Sequence, residues 1–154
     1  MTDKAAFSDD EWKALSEAPL RVTLAVIAVG EHGPISIVKE AAASARAIAH
    51  PSEQGPADDL IAPLARDAES REARHDVKAH AGQSSAEIAD TAIGDLAPAA
   101  AALTKLSSEE AAEVRAWLTG IAAAVAGAAK SVSTNEQGVL DRIAAVFAAP
   151  QPSA

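Results

Sequence analysis

Apolar residues recur three or four positions apart along most of the chain, which is the spacing of one face of a helix. No stretch shows the strict alternation of apolar and polar residues that is typical of a β-strand. The pattern therefore predicts an all-α, single-domain protein of about six or seven helices. We place these helices at about 9–29, 35–49, 58–79, 85–105, 108–130 and 134–148.

Three predicted helix faces consist of apolar residues at this spacing. They are Ile37, Ala41, Ala45 and Ile48; Val114, Trp117, Leu118, Ile121 and Val125; and Val139, Ile143 and Phe147. The helix that follows Pro19 is different, because it is apolar on most of its sides. We expect that helix to form the centre of the domain.

Local motifs mark where helices begin. The pattern Ser-x-x-Glu, in which serine and glutamate bond each other's backbone amides, predicts a capping box wherever it precedes a helix. It occurs at Ser8/Glu11, Ser84/Glu87, Ser107/Glu110 and Ser133/Glu136. Pro19, Pro63 and Pro98 are expected to separate short helices from longer ones, because a proline interrupts a helix interior.

The two ends of the chain resemble each other. Residues 7–51 align without gaps on residues 106–150, with Ser8 on Ser107 and Pro51 on Pro150. A duplication would place two helical hairpins about a pseudo-twofold axis. The middle helices, 58–105, would join or cover them, and the tail, 149–154, is expected to be frayed.

Composition and charge narrow the functions that fit this chain. The 154 residues are 49% hydrophobic but only 3% aromatic, so small aliphatic residues must build the core. A net charge of −9 disfavours nucleic-acid binding, and no run of basic residues suits an anionic membrane. The chain has no cysteine, no apolar segment long enough to span a bilayer and no signal-peptide pattern, so we expect a cytoplasmic protein.

Two helix–turn–helix segments carry a family resemblance. "LRVTLAVIAVGEHGPISIVKEAAASARAIA" (20–49) and "GIAAAVAGAAKSVSTNEQGVLDRIAAVF" (120–147) resemble the duplicated motif of the TerB-like, tellurite-resistance family. The resemblance implies an all-helical fold, a divalent-cation site and a role in stress resistance. However, the Asp-Gly of the family's cation site corresponds here to His32-Gly33 and to Ala129-Lys130, so the resemblance supports the fold more than metal binding.

Candidate metal ligands at these turns are His32, Glu40 and Glu136. Glu136 is equally explained as the third residue of the capping box that Ser133 begins, and we favour that interpretation. Hard cations need several oxygen ligands, and neither turn supplies them.

Glu72 and His75 form a second candidate, since a Glu-x-x-His pair occurs in di-iron helical bundles. Such sites need two of these pairs, and this chain has one. The basic residues that alternate with the acids here are typical of a solvated helix surface. We therefore predict no metal ligand, no catalytic residue and no bound cofactor, with a divalent cation as the alternative.

The sequence favours a non-enzymatic interaction or scaffold module that acts through a protein partner or through self-association. Two alternatives stay open. One is a divalent-metal-binding, TerB-like stress protein, and the other is an oligomeric helical protein that binds an apolar ligand. Helices with alanine and glycine faces can pack against another subunit as readily as within one chain.

Overall fold

Helices make up most of the described part of the chain, and no strand occurs in it. The structure is a computed structural model that describes residues 2–30, 34–49, 55, 57–72, 84–128 and 132–148, of which 34–38 and 71–72 are described in backbone only. Its α-helices are α1 (Asp9–Val29), α2 (Pro34–Ala49), α3 (Asp58–Glu72), α4 (Ser85–Gly94), α5 (Ala97–Ala102), α6 (Ser108–Gly127) and α7 (Thr134–Phe147). Short 3-10 helices, Lys4–Ala6 and Leu103–Lys105, precede α1 and α6. The all-α prediction is confirmed.

All four predicted capping boxes are present. In each, the serine hydroxyl accepts the glutamate amide at 3.2 Å. The glutamate carboxylate accepts the serine amide at 2.7–3.1 Å. These bonds satisfy amides that have no partner inside the helix, and so they set where α1, α4, α6 and α7 begin.

Two of the three prolines do not act as predicted. Pro19 and Pro63 lie inside the continuous helices α1 and α3, so the expectation of short helices at these sites is wrong. Pro19 is buried, and its carbonyl oxygen accepts the Thr23 hydroxyl at 2.8 Å. Tertiary packing therefore outweighs the lost backbone hydrogen bond. Pro98 does lie at the start of a short helix, but the interruption falls earlier, at residues 95–96.

The central position predicted for the first helix is confirmed, because α1 packs against all six other α-helices. Val22 and Val26 of α1 are fully buried, whereas Leu24 is only partly buried. Trp12 and Trp117 are both buried and join the same continuous core. The core is otherwise built mainly from alanine, valine, leucine and isoleucine, as the low aromatic content requires.

Of the three predicted faces, those of α6 and α7 are buried as expected. The prediction for α2 is confirmed at Ile48, which is buried, and wrong at Ala41 and Ala45, which are exposed; the side chain of Ile37 lies outside the described part. The buried side of α2 includes Glu40 and Ser44 instead. Alanine contributes little apolar area, so a row of alanines does not decide which side of a helix faces the core. Ile48, which is buried, and Ser44, which is buried and forms a hydrogen bond with Thr23 of α1, are residues that anchor α2.

The ends of the chain present the same elements in the same order. A 3-10 helix, a capped helix and a second helix occupy residues 4–49, and the same series occupies residues 103–147. The helices of the two ends interlock: α1 packs against α6, α2 packs chiefly against α6, and α7 packs against both α1 and α6. The duplication itself stays a prediction. The frayed tail stays one too, since residues 149–154 lie outside the described part of the chain.

Candidate functional site

The candidate ligands at the two family-like turns have different surroundings. Glu136 is 2% exposed, and its Oε2 accepts the Ser133 amide at 2.7 Å, so the capping box accounts for its position. Glu40 is completely buried on α2. His32 lies outside the described residues.

The Glu-x-x-His candidate lies at the edge of what is described. Glu72 is the last residue of α3 and is described in backbone only, whereas His75 lies beyond the described part. Across the described ranges, no three His, Cys, Asp or Glu side chains form a group suited to a metal ion.

A group of hydrogen bonds to Glu110 joins the start of the chain to α6. The Glu110 Oε1 atom accepts the Thr2 amide at 2.7 Å, and Oε2 accepts the Thr2 hydroxyl at 2.9 Å and the Ser107 amide at 3.0 Å. The backbone amides of Thr2 and Ser107 are the main reason that the pKa of Glu110 falls from 4.5 to about 2. Glu110 therefore fastens the segment before α1 onto the start of α6.

A matching contact fastens the segment before α6 onto the start of α1. The Lys105 ammonium donates to Glu11 Oε2 at 2.6 Å and to the Ala6 carbonyl at 3.3 Å. The hydrogen bond from Lys105, followed by that from the Ser8 amide, lowers the pKa of Glu11. Glu11 and Glu110 are thus each held by the segment that leads into the other long helix.

Glu113 ties α6 to the start of α3. Its Oε2 accepts the Ala57 amide at 2.5 Å, while Oε1 is buried and accepts no hydrogen bond. A Cβ at Gly55 would lie 2.7 Å from Glu113 Cδ and 2.8 Å from Oε2. Only glycine therefore fits at Gly55 while the carboxylate stays in place.

Trp12 anchors the first turn of α1 through both its ring and its indole nitrogen. The Nε1 atom donates to Asp67 of α3 at 2.6 Å, and Phe7 lies against the ring with centroids 6.1 Å apart. The Lys4 ammonium lies 5.0 Å from the ring centroid and 3.8 Å from the Asp67 carboxylate. These contacts join the first turn of α1 to α3. They do not place a nucleophilic side chain beside a base.

A buried polar contact joins α1 to α2. The Thr23 and Ser44 hydroxyl oxygens lie 2.7 Å apart, and Thr23 donates to the Pro19 carbonyl. Since the single hydroxyl proton of Thr23 is used there, Ser44 must be the donor in the Ser44–Thr23 bond. Ser44 and Glu40 are both fully buried on α2.

One face of α6 is exposed, uncharged and made only of small residues. It consists of Ala112, Ala116, Gly120, Ala123 and Gly127. A Cβ built on Gly120 or Gly127 would meet nothing within 4 Å among the described residues, so packing in this part of the chain does not require glycine at either position.

Sequence reasoning did not find the contacts of Glu110, Glu113 and Gly55. The Ser107/Glu110 pattern was visible, but the contact with Thr2 spans 108 residues and leaves no local pattern. Glu113 and Ala57 are 56 residues apart. Gly55 lies in the stretch HPSEQGPA (50–57), whose proline and glycine content indicates only a linker.

Within the described ranges, no helix combines the length and apolar character needed to cross a membrane. Comparison with known proteins adds no relative: no family model matches the chain, and no curated protein and no solved structure matches it significantly.

Proposed function

We propose that this protein is a non-enzymatic helical interaction module that associates with a second copy of itself through α6. The observation that supports the proposal is the exposed small-residue face of α6, whose two glycines have open space around them. A glycine inside a helix is about 1 kcal/mol less favourable than alanine. No described atom would meet a Cβ at Gly120, Gly127 or Gly138. Gly120 and Gly127 differ from Gly138 in lying in a row of exposed small residues, whereas the exposed neighbours of Gly138 include Asp141 and Arg142. Close approach of another helix is therefore the physical reason that we assign to Gly120 and Gly127.

The spacing of the small residues favours a second copy as the partner. In an antiparallel pair of α6 helices centred between Thr119 and Gly120, Ala112 would face Gly127 and Ala116 would face Ala123 of the other copy. A twofold interface requires a surface that is complementary to itself in this way. Antiparallel packing also places opposite helix dipoles side by side.

Charge opposes the association of two such chains and gives the proposal a test. Each copy carries a net charge of −9, so the copies repel at low ionic strength. Salt screens this repulsion, with a Debye length of about 10 Å at 0.1 M and about 3 Å at 1 M. The proposed dimer should therefore strengthen as salt is added.

Sedimentation equilibrium over a range of protein and salt concentrations measures this association. The Gly120→Leu variant should stay folded by circular dichroism and become monomeric, because its side chain separates the two helices. Gly138→Leu is the matched control, since Gly138 lies on α7 with equally open space and should leave the dimer intact. A protein that is monomeric at all concentrations, or a Gly120→Leu variant that still associates, would refute the proposal.

The TerB-like resemblance supports a second candidate, a divalent-metal-binding stress protein. Its only support among the described residues is that Glu40 and Glu136 are buried carboxylates near the two family-like turns. Calorimetric titration with calcium, manganese and zinc tests it. Micromolar binding that is lost in Glu40→Gln would favour this candidate, and the absence of heat would remove it. A cytoplasmic location and the lack of a nucleic-acid partner stay predictions from composition.

A further inference from the structure

Two buried polar atoms on α6 lack a hydrogen-bond partner in the part of the chain that the structure describes, and they have opposite hydrogen-bonding character. One is the indole Nε1 of Trp117, a donor on a side chain that is only 7% exposed. The other is Oε1 of Glu113, an acceptor that is out of contact with solvent although Glu113 as a whole is half-buried. An unpaired buried donor or acceptor costs free energy, so each of these atoms needs an explanation.

Both atoms belong to one side of α6. Glu113 and Trp117 are four residues apart on the helix, and side chains at this spacing are neighbours, with Cβ atoms about 5–6 Å from each other. Long side chains of a helix lean toward its N-terminus, which favours an approach of the Trp117 ring to the turn that carries Glu113. This spacing suits a single oxygen that bonds both atoms at ordinary lengths of about 2.7–3.0 Å.

The carboxylate of Glu113 is held in place by the residues at the start of α3. Its Oε2 accepts the amide of the fully buried Ala57 at 2.5 Å. The backbone of Gly55 lies so close to the carboxylate that a Cβ there would overlap it. With Oε2 used by Ala57, Oε1 is the atom that remains available as an acceptor beside the indole nitrogen.

We propose that Glu113 and Trp117 bind one water molecule, which donates to Glu113 Oε1 and accepts from Trp117 Nε1. An ionised carboxylate only accepts and an indole nitrogen only donates, so the group between them must do both. An ammonium group cannot accept, and the carboxylate would repel an anion. A hydroxyl oxygen donates and accepts, and water is the smallest molecule that offers one. Two polar partners meet the lower limit of the about 2–4 that a buried water needs.

The bound water adds a second link to the contact between α6 and the start of α3. Glu113 reaches the start of α3 directly through Ala57, and the water joins the same carboxylate to the buried indole of Trp117. Neither Glu113 nor Trp117 belongs to the exposed small-residue face of α6. The inference therefore does not depend on self-association.

Nuclear magnetic resonance of the ¹⁵N-labelled protein tests the proposal at a single proton. The chain has two tryptophans, so the spectrum contains two indole N–H signals, which Trp12→Phe assigns. The Trp117 indole proton should show a nuclear Overhauser effect to water with the sign expected of a molecule that tumbles with the protein. Trp12 is the control within the same chain, because its Nε1 donates directly to Asp67 at 2.6 Å. An effect at Trp117 that is absent, or no stronger than the effect at Trp12, would overturn the proposal.

Relaxation dispersion of water ¹⁷O gives a second measurement, because its amplitude counts the waters that stay bound for longer than the protein takes to tumble. Trp117→Phe removes the donor but keeps an aromatic ring in the core, and it should lower the amplitude by about one water. Trp12→Phe is the matched control and should leave the amplitude unchanged.

If Trp117→Phe does not fold, Glu113→Leu removes the acceptor with a side chain of similar size, and the same loss of about one water is expected. An unchanged amplitude in a folded variant would indicate that Glu113 and Trp117 bond each other directly, and it would overturn the proposal.

Discussion

Replacement of Glu110 by glutamine should destabilise the protein at neutral pH and have less effect in acid. Glutamine keeps one oxygen for the Thr2 amide but turns the other acceptor into an NH₂ group that faces donors from Thr2 and Ser107. The variant also lacks the negative charge that these three donors stabilise.

The magnitude follows from the pKa of Glu110. A fall from 4.5 to about 2 corresponds to about 3 kcal/mol, since one pKa unit is worth about 1.4 kcal/mol. Because the hydrogen bonds of this carboxylate are only partly buried, screening by nearby solvent reduces the expected loss to about 1–2 kcal/mol at pH 7. Because the folded pKa lies below the unfolded one, the contribution is complete above about pH 5 and disappears as the pH falls toward 2.

Urea unfolding followed by tryptophan fluorescence, at intervals from pH 7 to pH 2.5, measures the difference in unfolding free energy between the natural protein and Glu110→Gln. Glu87→Gln is the matched control, because Glu87 occupies the same capping position in α4 and makes no described contact beyond its box. The reasoning fails if the Glu110→Gln difference stays constant over this range of pH, or if it equals the difference caused by Glu87→Gln.

Three further changes test other contacts. Gly55→Ala should lower stability by about 1 kcal/mol, because its Cβ would displace the flexible end of the Glu113 side chain and break its hydrogen bond with the Ala57 amide, and urea unfolding would detect this. Ser133→Ala should cost about 1 kcal/mol by removing the cap of α7, measured as a lower thermal midpoint. Leu15→Ala should cost about 2–5 kcal/mol because Leu15 is 1% exposed, whereas Leu24→Ala should cost clearly less; equal losses in urea would contradict the burial described.

Helix positions were predictable where neighbours three or four residues apart determine them. The capping serines mark the starts of α1, α4, α6 and α7, because the hydrogen bonds of a capping box join residues within the first turn of the helix. Pro19 was misjudged because its tolerance depends on burial against other helices. The face of α2 was misjudged because alanine suits either side of a helix, and the deciding contact, between Ser44 and Thr23, is tertiary.

The candidate functional surfaces were less predictable for the same reason. Nothing near Gly120 in sequence indicates whether its small size serves packing within this chain, and only the open space around it shows that packing among the described residues does not require glycine there. In the sequence, Glu113 cannot be told apart from an acidic residue on the solvent-facing side of a helix. Its contacts with Gly55 and Ala57 become visible only in the structure. Contacts between distant segments have no periodicity that a single sequence can display.

The interlocking of the two ends has a consequence for the order in which the chain is made. The ribosome synthesises α1 before α6 and α7, the helices that cover it. Contacts such as that of Thr2 with Glu110 close loops of more than a hundred residues, and loops of this size slow folding. The apolar helices of the nascent first half therefore stay exposed, and prone to aggregation, until α7 has left the exit tunnel. We expect chaperones that bind exposed hydrophobic segments to act at this stage.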